Sequence, residues 1–137
     1  PAIALLMWGG LSFLLIPLIL IGKNTLQGNV KSLSDLRMFW HSTVMPLNKV
    51  QDSHVWLLTS MIEMPSGEMK TYHKTRAPRR TPSAEELSQQ IEELRGHEVE
   101  HVWVSYKLPL LVFLFPAILP MALLGDITTI ILAVVGL

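Results

Sequence analysis

The charged residues of this chain are confined to its middle. All eleven lysines and arginines lie between Lys23 and Lys107, and ten of the eleven acidic residues lie there too, with Asp126 as the exception. Residues 1–22 contain no charged side chain. At about 1.5 Å per helical residue they are long enough to cross a hydrocarbon core about 30 Å thick. Residues 108–125 are equally apolar. The pattern predicts two membrane-spanning segments around a polar region.

We therefore expect a membrane α-helical protein with a small α+β loop domain. The predicted division is a transmembrane helix at 1–22, the loop domain at 23–107, and a second transmembrane segment with a kinked or re-entrant tail at 108–137. As one helix, this last segment would measure about 45 Å, which is more than a bilayer requires. We expect it to break near Gly125-Asp126, because glycine followed by aspartate can end one helix and start another.

The charge pattern also bears on location and partners. Basic residues near both apolar segments, including Lys23 and Lys107, favour a cytoplasmic loop domain under the positive-inside rule. The two apolar segments make the lipid bilayer an expected partner. Because the loop domain is nearly neutral, we expect no nucleic acid. Because the chain contains no cysteine, disulfide and thiolate chemistry are excluded. It begins at full hydrophobicity without an initiator Met or a basic segment, so we expect a fragment of a longer protein.

Within the loop domain, residues 31–41 carry an apolar stripe at helical spacing, formed by Leu33, Leu36, Phe39 and Trp40. This pattern predicts an amphipathic helix. Two interpretations remain open: a helix lying in the membrane interface, and a helix covering the loop domain.

The rest of the loop domain predicts a hairpin, a helix and a strand. Residues 54–64 are rich in strand-forming side chains and lead to the turn Pro65-Ser66-Gly67, after which a second strand can return. Ser83 and Glu86 have the spacing of a capping box, so residues 84–95 should be helical. Residues 98–104 favour a strand that leads to the second apolar segment.

Between the hairpin and the helix lies a basic connector that contains Arg76, Arg79 and Arg80. Two interpretations are open: contact with anionic lipid headgroups, and an ordinary solvated loop.

One short motif points to metal chemistry. His97-Glu98-Val99-Glu100-His101 matches HExxH, in which two histidines on one helix face bind zinc and the glutamate acts as general base. However, Gly96 ends the predicted helix, and in a strand the two histidines would lie about 13 Å apart, too far to share one ion. No histidine follows His101 as a third ligand. We therefore assign no metal ligand to this chain.

Asp126 is the other candidate, because an acidic residue inside a membrane segment is often functional. Its position before Ile127 also fits an N-cap that accepts hydrogen bonds from free helical N–H groups. We favour the structural role and assign no catalytic or cofactor-binding residue.

Five short stretches occur in an order and spacing that are found together in one protein family. They are Gly10 with Pro17, Asn24-x-Leu26-x-Gly28, His54-Val55-Trp56-Leu57-Leu58, Val102-Trp103-Val104 with Lys107-Leu108-Pro109-Leu110, and Gly125-Asp126. Together they resemble the C-terminal part of the archaeal prepilin and preflagellin peptidases, membrane aspartic proteases of the GxGD type. The resemblance covers the family's penultimate helix, cytosolic loop domain and final helix.

The chain also departs from this family. Ser105-Tyr106 stands where the family commonly has Thr-Pro, and Leu123 occupies the place of the first glycine of a GxGD motif. The resemblance implies that the two catalytic aspartates lie upstream, so Asp126 does not correspond to either.

The family's activity is the metal-free removal of a short basic leader from archaeal type IV pilin-like and archaellin precursors at the cytosolic membrane face. The resemblance implies that this chain is an inactive C-terminal fragment of such an enzyme. It would pack against the N-terminal helices of the parent protein and help to present the precursor. The alternative from a different class is a non-enzymatic two-pass membrane scaffold or assembly subunit, and a membrane zinc peptidase acting through His97 and His101 is a third hypothesis.

Overall fold

The computed structural model describes residues 2–33, 35–109 and 111–136. The chain folds as two compact units. One comprises residues 1–19 and 108–137 and is helical; the other comprises residues 20–107 and contains two β-sheets and a helix.

The helical unit begins with α1, which runs from Ala2 to Leu26 and continues into the second unit. Its 25 residues correspond to about 38 Å. The helix therefore extends beyond the predicted boundary at residue 22, through Lys23 and Asn24. Among the described residues, α1 is the one helix that is long and apolar enough to cross a membrane by itself.

The second apolar segment forms two helices, α3 at Leu111–Leu124 and α4 at Ile127–Val135. The expected break occurs at Gly125-Asp126: Gly125 has a φ of 79°, and the two helix axes are bent by 54°. α3 continues through both of its internal prolines, Pro116 and Pro120. The pair satisfies the length and composition of a membrane span only when it is counted as one broken span.

Helices α1 and α3 pack closely. The rings of Phe13 and Phe113 meet edge to face with centroids 4.9 Å apart. A Cβ on Gly9 would lie 3.0 Å from the Leu114 side chain, so glycine allows this approach. The indole N–H of Trp8 donates to the carbonyl of Gly125 at 3.1 Å, which satisfies one of the carbonyls freed where α3 ends.

The second unit is built on an antiparallel sheet with strand order β1-β5-β2. Strand β1 is Thr43–Pro46, β2 is Val55–Leu57 and β5 is His101–Tyr106. Strand β5 pairs Val104 with Thr43 on one side and with Leu57 on the other. A separate hairpin joins β3, Thr59–Glu63, to β4, Met69–His73, through a turn in which Gly67 has a φ of 82°.

The expected strand over residues 54–64 is divided between these two sheets. Leu58 lies at the division: its N–H donates to Trp103 of β5, whereas its carbonyl accepts from Lys74, which follows β4. Residues before Leu58 therefore belong to the first sheet and residues after it to the hairpin.

Helix α2, Ala84–Gly96, agrees with the prediction of a helix at 84–95. Both hydrogen bonds of the capping box between Ser83 and Glu86 are present. The helix buries Ile91 and Leu94 against the first sheet. The full cluster of buried apolar side chains is Leu47, Val50, Val55, Ile91, Leu94, Val102 and Val104.

The amphipathic helix expected at residues 31–41 is not found. The described part of this segment contains a single 3-10 turn at Asp35–Arg37 followed by turns. Leu33 and Trp40, two members of the predicted stripe, are 85% and 54% exposed, whereas Met38, outside the stripe, is buried. Side chains hold the two ends of this segment: Asp35 accepts from the backbone N–H groups of Lys31 and Ser32, and Asn24 donates to the carbonyl of Phe39.

The strand expected at 98–104 begins later, at His101, and extends to Tyr106. Residues 97–98 form a turn instead, in which Glu98 adopts a left-handed conformation with a φ of 59°. This turn separates α2 from β5.

Candidate functional site

A polar cleft lies where the hairpin meets β5 and the segment that follows α1. It encloses about 480 Å³, and the side chains that give it its chemistry come from four parts of the second unit. Those side chains are Lys31, Asp35, Thr59, His73 and His101.

Thr59 is the buried centre of this cleft. It is 2% exposed, and its hydroxyl oxygen accepts from the backbone N–H of Trp103 at 2.9 Å. The same oxygen lies 3.0 Å from Nδ1 of His73. Because the N–H of Trp103 already supplies a proton to this oxygen, the hydroxyl can donate its own proton to Nδ1. When the hydroxyl donates in this way, a neutral imidazole carries its proton on Nε2.

Burial lowers the pKa of His73, and the charge of Asp35 raises it to a smaller extent. The net lowering of the pKa favours the neutral form of the ring. The ring also meets Trp103 edge to face at 6.5 Å, which fixes its orientation. Thr59 resembles a nucleophile beside a base, but its oxygen is buried and engaged with Trp103. The pair therefore positions the His73 ring and does not form an activated nucleophile.

Asp35 is 9% exposed, and its carboxylate is also engaged. Oδ2 accepts from the backbone N–H groups of Lys31 and Ser32, both at 3.0 Å. The carboxylate thus holds the segment after α1 in a tight turn at the rim of the cleft. A carboxylate that is occupied in this way is a poor candidate for a general base.

Asn24 anchors the same segment from inside α1. It is fully buried, and its Nδ2 group donates to the carbonyls of Phe39 and Ser42 at 2.9 and 2.7 Å. Its Oδ1 atom accepts from Asn29 at 3.0 Å. The stretch Asn24-x-Leu26-x-Gly28 therefore has a structural role: the asparagine fastens the end of α1 to the loop domain, and Gly28 takes a φ of 62°.

His41 lies between this segment and β1. Burial lowers its pKa, and a contact with the backbone of Thr75 raises it to a smaller extent. That contact does not reach hydrogen-bond geometry, so both ring nitrogens are buried without a bond in the described part of the chain.

The HExxH motif does not form a zinc-binding helix face. His97 is the C-cap of α2, Glu98 follows in the left-handed turn, and His101 is the first residue of β5. The two histidines therefore do not lie one turn apart on a helix, as the zinc peptidase motif requires. Within residues 2–33, 35–109 and 111–136, no group of three or more His, Cys, Asp or Glu side chains is arranged to hold a metal ion.

Asp126 occupies the structural position that the sequence predicts. It is the N-cap of α4, and its Oδ1 atom accepts from the backbone N–H of Thr128 at 2.9 Å and from the Thr128 hydroxyl. The residue is exposed.

The three arginines of the basic connector are exposed. Arg80 forms an ion pair with Glu86 at 2.5 Å. The pKa of Glu86 is lowered, first by the hydrogen bond from the backbone N–H of Ser83 and then by Arg80.

Sequence reasoning did not find the cleft. Thr59 and Trp103 are 44 positions apart, and no local pattern marks a threonine that will complete a distant strand. The signal that was available is the pair of histidines, His73 and His101, of which only His101 belongs to the HExxH motif.

Comparison with known proteins gives one match. A family model described as the archaeal peptidase A24 C-terminus, type II, matches residues 35–127, from the 3-10 turn after α1 to the first residue of α4. Neither the curated proteins nor the solved structures contain a match. The family match confirms the resemblance to the C-terminal part of these peptidases. Because it covers more than half of the sequence, the chain belongs to the archaeal peptidase A24 C-terminal family, type II.

Proposed function

We propose that this chain is the non-catalytic C-terminal part of a membrane aspartic endopeptidase. The enzyme would remove leader peptides from archaeal type IV pilin-like and archaellin precursors. The observation that carries the proposal is the family match over residues 35–127, which includes the loop domain from Asp35 onward and all of α3.

Aspartic peptidases use two carboxylates that share a proton and activate one water molecule. The apolar segments of this chain contain a single acidic residue, Asp126, whose carboxylate caps α4. The acidic residue nearest the polar cleft, Asp35, is held by two backbone N–H groups. We therefore assign the catalytic aspartates to the part of the enzyme upstream of this chain.

The chain itself would supply two things to the enzyme. Helices α1 and α3 would pack beside the catalytic helices in the membrane, and residues 20–107 would form a cytoplasmic domain. The cleft around Thr59 and His73 is a concave polar surface of that domain, and it would contact the precursor and help to present it. The side chains of Asp35, Thr59 and His73 are held by hydrogen bonds, as expected of a preformed binding surface.

Co-expression of the chain with its upstream region tests the proposal. We expect the purified chain alone not to cleave a membrane-anchored pilin precursor, and the upstream region together with this chain to cleave it. We also expect the reading frame upstream of Pro1 to continue into a helix that contains GxGD. A start codon immediately before Pro1 would instead support a separate two-pass scaffold, and cleavage by the chain alone would refute the assignment of the aspartates.

A further inference from the structure

Two lysine–aromatic pairs mark one end of the first sheet. Nζ of Lys107 lies 4.3 Å from the ring centroid of Trp56. Nζ of Lys23 lies 5.8 Å from the Tyr106 ring centroid and donates to the Tyr106 hydroxyl at 3.3 Å. Tyr106 is paired with Val55, the neighbour of Trp56, so the two rings lie at the same end of the sheet and on its opposite faces.

Both pairs also coincide with the limits of the apolar sequence. Lys23 is the first charged residue after the N-terminal apolar segment, and Lys107 is the last before the second, which begins at Leu108. Lysine, tryptophan and tyrosine are the side chains that favour the boundary between hydrocarbon and water, because each has an apolar body and a polar end. This end of the sheet therefore has the composition of a membrane interface.

A cavity of about 290 Å³ lies beside Trp56. Its charged lining consists of Lys74, Arg80 and Lys107 together with one carboxylate, Glu86. Glu86 is already bound by Arg80 at 2.5 Å and by the backbone N–H of Ser83 at 3.0 Å.

In the part of the chain that the structure describes, neither Lys74 nor Lys107 forms an ion pair. The cavity thus presents two ammonium groups without a partner anion, and the half-buried ring of Trp56 forms part of its wall.

We infer that this cavity binds the phosphate of an anionic lipid headgroup, with Lys74 and Lys107 as its direct contacts. Lysine binds phosphate well as a compact charge, and headgroup phosphates are the abundant anions at a membrane interface. The Trp56 ring would lie against the glycerol backbone of the same lipid. The inference rests on the membrane placement in the proposed function and assigns a specific site within it.

The test uses the full chain purified in a neutral detergent and native mass spectrometry to count bound lipids. The probes are phosphatidylglycerol and phosphatidylcholine with identical acyl chains. We expect preferential retention of phosphatidylglycerol. The double variant Lys74→Gln/Lys107→Gln should bind it about tenfold more weakly or worse, because each lysine near a headgroup contributes to the attraction.

The matched control is Lys49→Gln/Lys70→Gln, which removes the same net charge from two exposed lysines outside the cavity. It should bind phosphatidylglycerol as the unaltered chain does. Lys107→Arg, which keeps the charge over Trp56, should also retain binding.

Three results would overturn the inference: equal retention of the two lipids, equal loss in the control variant, or displacement of the lipid by millimolar inorganic phosphate or an acidic peptide. Alkaline extraction of membranes that contain the chain distinguishes failure of the lipid site from failure of the proposed function. Release of the chain into the soluble fraction contradicts its membrane placement, whereas an inserted chain without lipid preference contradicts only the site.

Discussion

Single residues determine how the two sheets of the loop domain meet. The chain passes from one sheet to the other at Leu58, where the backbone N–H and carbonyl have partners in different sheets. The hydroxyl of the next residue, Thr59, accepts a hydrogen bond from the backbone N–H of Trp103. In a continuous ladder of backbone hydrogen bonds, a backbone carbonyl would accept this bond instead. A sequence rich in strand-forming residues predicts the strand but not its division, because both partners are far away in the chain.

Removing the Thr59 hydroxyl should destabilise the loop domain. Thr59→Val preserves the shape of the side chain but leaves the buried N–H of Trp103 without an acceptor. We expect a loss of about 1–3 kcal/mol in the free energy of unfolding. Denaturation of the full chain in detergent micelles, followed by tryptophan fluorescence, measures it. Thr71→Val, on the exposed strand β4, is the matched control and should change stability by less than about 0.5 kcal/mol.

His73 should make the free energy of unfolding of the loop domain depend on pH. Burial lowers its pKa in the fold, despite the nearby charge of Asp35. Between the folded-state pKa and the unfolded value of about 6.5, the unfolded chain binds more protons. Stability should therefore fall as pH is lowered through this window, and it should be fully present above it.

His73→Gln should flatten this pH dependence, measured as the unfolding midpoint between pH 7.5 and 5. Part of the dependence should remain, because burial also lowers the pKa of His41. His97→Gln, which alters an exposed histidine at the end of α2, is the matched control. A steep profile that persists in His73→Gln at full amplitude would contradict the assignment.

At the scale of elements, the sequence predicted correctly the helix whose ends are set by interactions between neighbouring residues. Helix α2 was predicted nearly to its observed ends, because its capping box lies within four residues of sequence. The helix expected at 31–41 failed for the opposite reason. Its periodicity was real, but the segment is held by a side chain from another element: Asn24 of α1 donates to the carbonyls of Phe39 and Ser42. Hydrophobic periodicity contains no information about such a distant competitor.

The packing of α1 against α3 should depend on Gly9 and not on Gly10. A Cβ at Gly9 would meet Leu114 at 3.0 Å, whereas one at Gly10 meets nothing within 4 Å. The cysteine-free chain allows a direct measurement through Phe13→Cys and Phe113→Cys, whose parent rings are in contact. We expect Gly9→Val to slow disulfide formation between these positions severalfold and Gly10→Val to have little effect. Equal rates of disulfide formation in the two variants would show that Gly9 does not determine how closely α1 and α3 pack.

At the scale of the whole molecule, the distribution of charge predicted an apolar N-terminal helix followed by a polar region. An N-terminal apolar helix and a small α+β region with two sheets are present, and the second apolar segment breaks where glycine and aspartate indicated. The polar cleft was not predicted, because Thr59, His73 and Asp35 are brought together only by the tertiary fold. Binding surfaces assembled from distant residues of ordinary type leave little trace in a single sequence.

The role of Asp126 is best tested in the complete enzyme, because only there can a structural carboxylate be distinguished from a catalytic one. Asparagine caps helices about as well as aspartate but cannot act as a general acid or base. When the Asp126→Asn variant of this chain is co-expressed with the upstream region, the pair should therefore cleave a pilin precursor at nearly the unaltered rate. Asp126→Ala removes the cap and should lower the helicity of α4. A loss of about 100-fold or more in Asp126→Asn, with α4 intact by circular dichroism, would instead place Asp126 among the catalytic residues.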